Sequence, residues 1–230
     1  LSQIMSIIDQ GFSYQRRLTI VEGLRSADIV QIITDLPHLT GLIEAMPDEG
    51  SLRPETYFYT YATPRDDLIS RMQQTQQIAL AEAWIDRAKD LPYKTPQAAL
   101  IMASIIEKEA SVNADRRLVA AVLVNRLKRG MRLQSDPTVL YEAAASPQSP
   151  IPITKIHLKT KTPWNTYVIK GLPKTPICNP GEESLIAALN PAKSDYLYFV
   201  SDGKGGLRFA KTLDVHNRNV RLFRKFEAAA

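Results

Sequence analysis

The 230-residue chain is short of several things that chemistry often needs. It has one cysteine, Cys178, so no internal disulfide can form. Its three histidines, His38, His157 and His216, lie far apart and share no ligand spacing, which argues against a Cys/His metal centre. No window holds the ~18 consecutive apolar residues of a membrane span, and no signal peptide opens the chain. There is no repeat or low-complexity tract, and aromatics make up 7% of residues. "GKGG" at 203–206 lacks the Lys-Ser/Thr ending and the strand–loop–helix setting of a phosphate loop, so it reads as a hairpin turn. No lysine stands in a phosphate cradle of the kind a pyridoxal cofactor requires.

What is present is 44% hydrophobic residues, enough for one sizeable domain or a domain with a small companion. The net charge of +5 is small, and a plain basic surface accounts for it. A cluster around Arg116, Arg117, Arg126, Lys128, Arg129 and Arg132, with Lys155, Lys159 and Lys161 near Trp164, leaves nucleic-acid binding as a rival reading.

The residues up to Gly11 read as the end of a helix. "RRLTIVEG" alternates as a strand with Leu18 and Ile20 on one face, and Ser26 caps the short helix "ADIVQIIT". Together these make a small α/β unit, closed by the turn-rich break "PDEGSLRP" at 47–54. "ETYFYTY" then reads as a strand. Thr63-Pro64, Thr95-Pro96, Asp136-Pro137 and Asn179-Pro180 each place a capping side chain before a proline, predicting helices near 64–89, 96–112, 137–145 and 180–189. A further helix is predicted over 115–129, stopping at Gly130. "ASPQSPIPI" reads as a loop and "TYVIKGLP" as a short strand and turn. "DYLYFVSDGKGGLRFAKT" reads as a β-hairpin, and Thr212 opens a last basic helix. The irregular mixture predicts an α+β fold, with a boundary near residue 50 separating 1–50 from 51–227.

"IMASIIEKEASV" at 101–112 sets two glutamates two positions apart, on nearly opposite sides of a helix. Glu109 shares its side with Ile105, Ile106 and Met102, whereas Glu107 sits above Ala103 and Ser104. A carboxyl held against apolar side chains resists ionisation and suits a general acid. Two glutamates flanking a lysine are also what an ordinary exposed helix end contains, and spacing identifies no second carboxylate of the kind most glycosidases use.

Longer strings say more than the spacing. "LIMASIIEKEA", "LVAAVLVNRLKRGMRLQSDPTVLY", "NTYVIKGLPKTPICNPG" and "ALNPAKSDYLYFVSDGKGGLRFAKTLDVHN", in this order, resemble the YceG (MltG-type) family of endolytic peptidoglycan transglycosylases from about Val21 to His216. The resemblance implies a single catalytic glutamate in the "EKE" segment, placed on Glu109, which is followed by the small residue Ala110. It implies cleavage of the MurNAc–GlcNAc β-1,4 bond without water, leaving 1,6-anhydro-MurNAc ends, with no metal or cofactor. Gln134 and Asp136 of "LQSDPT", Asn165, Thr166 and Tyr167 of "WNTY", Asn125, and Glu55 and Tyr57 of "PETYFY" become expected substrate-side residues. For each a structural role is also open: a cap for Asp136, a turn for Asn165 to Tyr167, a backbone partner for Asn125 and a strand for Glu55 and Tyr57. His216 and Asn217 match the family without an evident role. The family further implies that 1–50 is a LysM-like glycan-binding module, that one N-terminal helix anchors the protein in the bacterial inner membrane with its catalytic domain in the periplasm, and that membrane-bound peptidoglycan synthases are its neighbours. A non-catalytic glycan-binding protein of the envelope is the alternative.

Overall fold

The computed structural model describes residues 13–143 and 151–228; the expected helix before Gly11 and most of the loop at 145–153 fall outside them. The fold is α+β, with two apolar cores.

The first core gathers around strand β1 (Arg16–Thr19), helix α1 (Ser26–Asp35), and strands β2 (Leu39–Thr40), β3 (Thr56–Tyr59) and β4 (Thr63–Pro64). β1 and β3 pair antiparallel with Leu18 opposite Tyr57, and β2 bridges β4 in parallel. The alternation read from "RRLTI" holds: Leu18 and Ile20 are buried, together with Tyr57, Tyr59, Ile29 and Ile33. Both strands of the main pair are needed to cover α1, so this core draws on residues either side of position 50. It also takes in Leu68, Ile69 and Met72 from the first half of α2 (Arg65–Ile85). Arg65 donates to the carbonyls of Ile33, Thr34 and Leu36 at the end of α1 and to those of Leu39 and Gly41 in and after β2, tying the two together.

The second core is built on α3 (Pro96–Glu109), whose residues from Ala99 to Ile106 are all buried. A helix apolar on every side has to sit inside a layer of other elements. Those are α4 (Asn113–Lys128), α5 (Asp136–Ala143), α7 (Glu182–Leu189) and the second half of α2, while α6 (Lys155–Lys159) leans on α5. Small residues on both partners, Ala99, Ala103 and Ser104 on α3 and Ala187 and Ala188 on α7, let these two helices lie close. The expected hairpin forms as β5 (Tyr198–Ser201) and β6 (Leu207–Ala210), paired antiparallel, and α8 (Leu213–Glu227) packs on it. Thr95 and Thr212 cap α3 and α8 as expected, accepting from the backbone N–H groups of Ala98 and Val215.

Several expectations are corrected. Ser26 is the first helical residue rather than the cap; its hydroxyl donates to the Asp48 carbonyl. Thr63 accepts from Thr60 N–H, and Pro64 occupies the cap position of α2. α4 starts at Asn113, two residues early, and Asp115, inside its first turn, accepts from Leu207 N–H. "TYVIKGLP" forms a turn in place of a strand: the N–H groups of Val168 and Ile169 both return to the Asn165 carbonyl. Gly181, not Asn179, precedes α7. Asn179 is fully buried between the two cores, where it accepts from Leu52 N–H and donates to the Leu24 carbonyl and Ser26 Oγ. A side-chain amide with both ends satisfied by the first unit is a tie between units, and it is no longer free to cap a helix.

Candidate active site

The two glutamates of "EKE" meet different neighbours. Glu107 turns toward the first unit. Its carboxylate accepts from Arg116 Nη2 at 3.0 Å and from Gly181 N–H at 3.0 Å, and only 6% of its side chain is exposed. Glu22 of the first unit lies 3.6 Å from the same guanidinium, and burial together with the Glu107 charge raises its proton affinity. Between them, Lys108 donates to the Gly23 carbonyl. Glu107 is thus the buried partner of Arg116, a guanidinium that Glu22 of the first unit also approaches.

Glu109 ends α3 and turns the other way. None of the ion pairs among the described residues includes it. One oxygen accepts from Ser135 Oγ at 2.6 Å. Burial of the carboxyl raises its pKa from the ordinary glutamate value to about 7; the Ser135 hydrogen bond pulls it down, the Asp136 charge pushes it up and the Arg126 charge pulls it down. This is a carboxyl that exchanges its proton near neutral pH, with one oxygen oriented by a serine.

Ser135 is held in place by a small hydroxyl network. Its N–H donates to Thr166 Oγ1, which also meets Thr138 Oγ1 at 2.8 Å, and Thr138 Oγ1 donates to the Ser135 carbonyl. Gln134 adopts a left-handed backbone, φ 51°, with its side chain exposed and its N–H on the Thr166 carbonyl. A non-glycine residue in that region stores strain, as His38 and Ala62 do in the first unit. Beside it, Tyr167 donates its hydroxyl to Asp136 Oδ1 at 2.5 Å. Burial and the charges of Asp136 and Glu109 raise the tyrosine's own proton affinity, so it remains a donor.

Of the expected site residues, Glu109, Gln134, Asp136, Thr166 and Tyr167 are thus brought together. Thr166 is fully buried and works through Ser135. Asn165 is buried too, with its amide donating to the carbonyls of His157 and Thr160 and its oxygen accepting from Tyr167 N–H, so it shapes the turn that presents Tyr167. Asn125 donates to the carbonyls of Ser194 and Tyr196 and fixes the approach to β5. Glu55 and Tyr57 belong to the first unit. Tyr57 lies in its core with its hydroxyl on the Arg53 carbonyl, which leaves no ring face for a ligand. Glu55 is exposed and lines a cavity of about 290 Å³ with Glu22, Arg53, Glu82 and Glu182.

Sequence reasoning missed Ser135, whose bond spans 26 positions, and Arg126, which was grouped with the surface cations. Part of the basic cluster turns inward. Arg116 is in the buried pair, Arg117 donates to the Asn190 carbonyl, Arg126 to the carbonyls of Leu197 and Leu133, and Lys128 pairs with Asp90. Arg129, Arg132, Lys155, Lys159 and Lys161 stay exposed, so the face left for phosphates is smaller than the sequence suggests.

A buried, oriented carboxyl with its pKa raised to about 7 has the chemistry that a general acid/base needs. Comparison with known proteins gives the family. The YceG-like family model matches residues 1–222, and the chain belongs to that family. Over 175 residues it is 41% identical to the endolytic murein transglycosylase of Bacillus subtilis (strain 168), a match covering 75% of this chain and 47% of that protein. It is 34% identical over 176 residues to the endolytic murein transglycosylase of Streptococcus pneumoniae serotype 2 (strain D39 / NCTC 7466), covering 75% of this chain and 31% of that one. The chain thus spans less than half the length of these curated relatives. The crystal structure of the yceG-like protein lmo1499 from Listeria monocytogenes superposes with a TM-score of 0.71 at 31% identity, covering 94% of this chain and 80% of that one.

Proposed function

We propose that this chain carries the catalytic part of an endolytic murein transglycosylase, with Glu109 as its single general acid/base. The observation that carries the reading is the Glu109 carboxyl: free of any ion pair among the described residues, oriented by Ser135 and poised near pH 7. Protonated Glu109 gives its proton to the oxygen bridging MurNAc C1 and GlcNAc C4, and the C1–O bond breaks. Asp136, an anion fixed by Tyr167, favours the positive charge growing at C1. The MurNAc 6-hydroxyl closes onto C1, and its proton passes to the Glu109 carboxylate. Enzyme and proton count are restored with no water consumed, and one carboxyl suffices for both halves. Gln134 and Tyr167, exposed and half-exposed beside it, hydrogen-bond the sugar.

The small unit around β1, α1 and β3 is proposed as a LysM-like module that grips the same glycan; its core runs past the expected boundary at 50 into β3 and the first half of α2. Glu22 beside Arg116 and the Gly23 carbonyl on Lys108 set it against the end of the catalytic helix. Peptidoglycan strands are the proposed substrate, membrane-bound synthases the proposed neighbours, and a single N-terminal anchor in the inner membrane, catalytic domain outward, the proposed location. Among the described residues, no helix is long and apolar enough to cross a membrane.

The test is mass spectrometry of purified peptidoglycan incubated with the wild type, Glu107→Gln and Glu109→Gln, with the full-length protein alongside. Anhydro ends that vanish with Glu109→Gln and persist with Glu107→Gln support the reading. Loss with Glu107→Gln alone moves the catalytic role to that residue. If the full-length wild type yields no anhydro ends, the enzyme reading fails and the glycan-binding alternative comes first.

A further inference from the structure

The geometry points to Arg126 as the positioning residue of this site: it clamps the segment that presents Ser135 to Glu109. The inference rests on Glu109 being the acid/base.

The first half of the case is the clamp. Arg126 lies in the last turn of α4, and its guanidinium is half-buried. Nη1 donates to the Leu133 carbonyl at 2.7 Å and Nε to the Leu197 carbonyl at 2.6 Å, acceptors 7 and 71 positions away. The Leu133 carbonyl belongs to the peptide whose N–H, that of Gln134, donates to the Thr166 carbonyl. Both polar atoms of that peptide are therefore held, on one side by Arg126 and on the other by the turn that carries Tyr167. Immediately after it the chain takes the left-handed step at Gln134, and then Ser135 reaches Glu109. A strained step of this kind persists only where its surroundings fix it. The fork of a guanidinium bridges two carbonyls on different segments, which a single ammonium does not reproduce.

The second half is charge. The groups acting on Glu109 come from three neighbouring elements: Asp136 on α5, Ser135 just before it, and Arg126 on α4; Tyr167 faces Asp136 from the turn. Arg126 is the cation of this set, opposite the Asp136 anion. It is itself covered by the Tyr198 ring, 5.2 Å from its centroid, and Tyr198 stacks on His216 at 5.2 Å and 24°. This gives His216 its place, stacked on the ring that meets the guanidinium. When Glu109 has given up its proton, a fixed cation nearby favours the carboxylate that must next accept one.

The experiment uses full-length protein and purified peptidoglycan, following anhydro-end formation against pH for the wild type, Arg126→Lys and Arg126→Gln, with melting temperature and circular dichroism recorded for each. Arg126→Lys keeps the charge and loses the fork; kcat should fall on the order of 100-fold, with KM within about twofold and the alkaline limb in place. Arg126→Gln also removes the cation, so the limb should move to higher pH. In an Arg126→Lys/Ser135→Ala double variant the losses should fail to add, since both act through one bond. Folded variants with wild-type kcat and limb overturn the inference, as do losses that vanish once expressed per folded molecule, or additive losses in the double variant. Should Arg126→Gln not fold, the kcat–KM split and the double-variant cycle decide the matter. A wild type that forms no anhydro ends overturns the underlying reading, and this inference falls with it; an active wild type with unaffected Arg126 variants overturns this inference alone.

Discussion

Glu107 and Glu109 stand two residues apart at the end of one helix and live in opposite electrostatic settings. Glu107 is matched: a guanidinium at 3.0 Å, a backbone N–H at 3.0 Å and a second carboxylate sharing the same arginine. Glu109 has a single hydroxyl donor, a neighbouring anion and a cation that acts on it without pairing. The lesson is that helix position chose which way each carboxyl points, and tertiary partners chose what it can do. A buried carboxylate with a partner is a structural tie; one without a partner has its proton affinity moved to where chemistry can use it.

The harshest test of that contrast exchanges the carboxyls for amides. Glu109→Gln should lower anhydro-end formation by on the order of 1,000-fold or more, as general acid–base catalysis contributes ~10²–10⁴-fold, with the fold intact. Glu107→Gln should act in the reverse sense. It halves a buried pair and leaves Arg116 with the more exposed Glu22, so stability should fall by about 1–3 kcal/mol, with activity per folded molecule close to wild type. Denaturant melts of both variants beside product assays read the two effects separately. A Glu107→Gln protein that is as stable as wild type would break the comparison.

Ser135→Ala comes next. It removes the bond that orients Glu109 and favours its ionised form, so kcat should drop ~10–100-fold while the alkaline limb moves upward from about 7. Asp136→Asn takes away a neighbouring anion that raises the same pKa, so the limb should move downward. Opposite displacements in a pH–rate series are the signature of one carboxyl governing the limb; two shifts of the same sign would contradict it.

Much of the frame was legible in the chain because its signals are local. Thr95-Pro96 and Thr212 cap the helices they precede, Leu18 and Ile20 share a buried face, and "GKGG" turns a hairpin. The site was legible only in part. The apolar-face reasoning selected Glu109, yet the structure shows α3 buried on every side from Ala99 to Ile106, so that face does not distinguish the glutamates. Arg116 and Ser135 do, and neither pairing has a sequence signature. Asn179-Pro180 reads like Thr95-Pro96 by type, but Asn179 is committed to Leu24, Ser26 and Leu52 across the unit boundary. "TYVIKGLP" carries β-branched and aromatic residues that favour a strand, but Asn165 binds the next backbone N–H groups first. Arg126 looked like one more surface cation because nothing in "VNRLK" reveals that the carbonyls of Leu133 and Leu197 lie within its reach.

The smallest effect is also the one that separates function from folding within a single residue. Glu109 is protonated below about 7 when folded, whereas an unfolded glutamate ionises near its ordinary value of 4.5. Its pKa is raised by folding, so its contribution to stability is full below the unfolded value and is lost as pH rises through the folded one. Above pH 7 the wild type must keep a desolvated carboxylate, whereas the neutral amide of the Glu109→Gln variant carries no such cost. Glu109→Gln should therefore melt close to wild type at pH 5 and above it at pH 8, by about 1–3 kcal/mol at most. Glu107→Gln should lie below wild type at both pH values, because Arg116 loses a partner in either condition. Paired melting curves at the two pH values read this directly. A gap for Glu109→Gln that fails to widen with pH would mean that the carboxyl ionises without penalty in the folded protein, and would leave it no better suited to donate a proton at neutral pH than an ordinary glutamate on the surface.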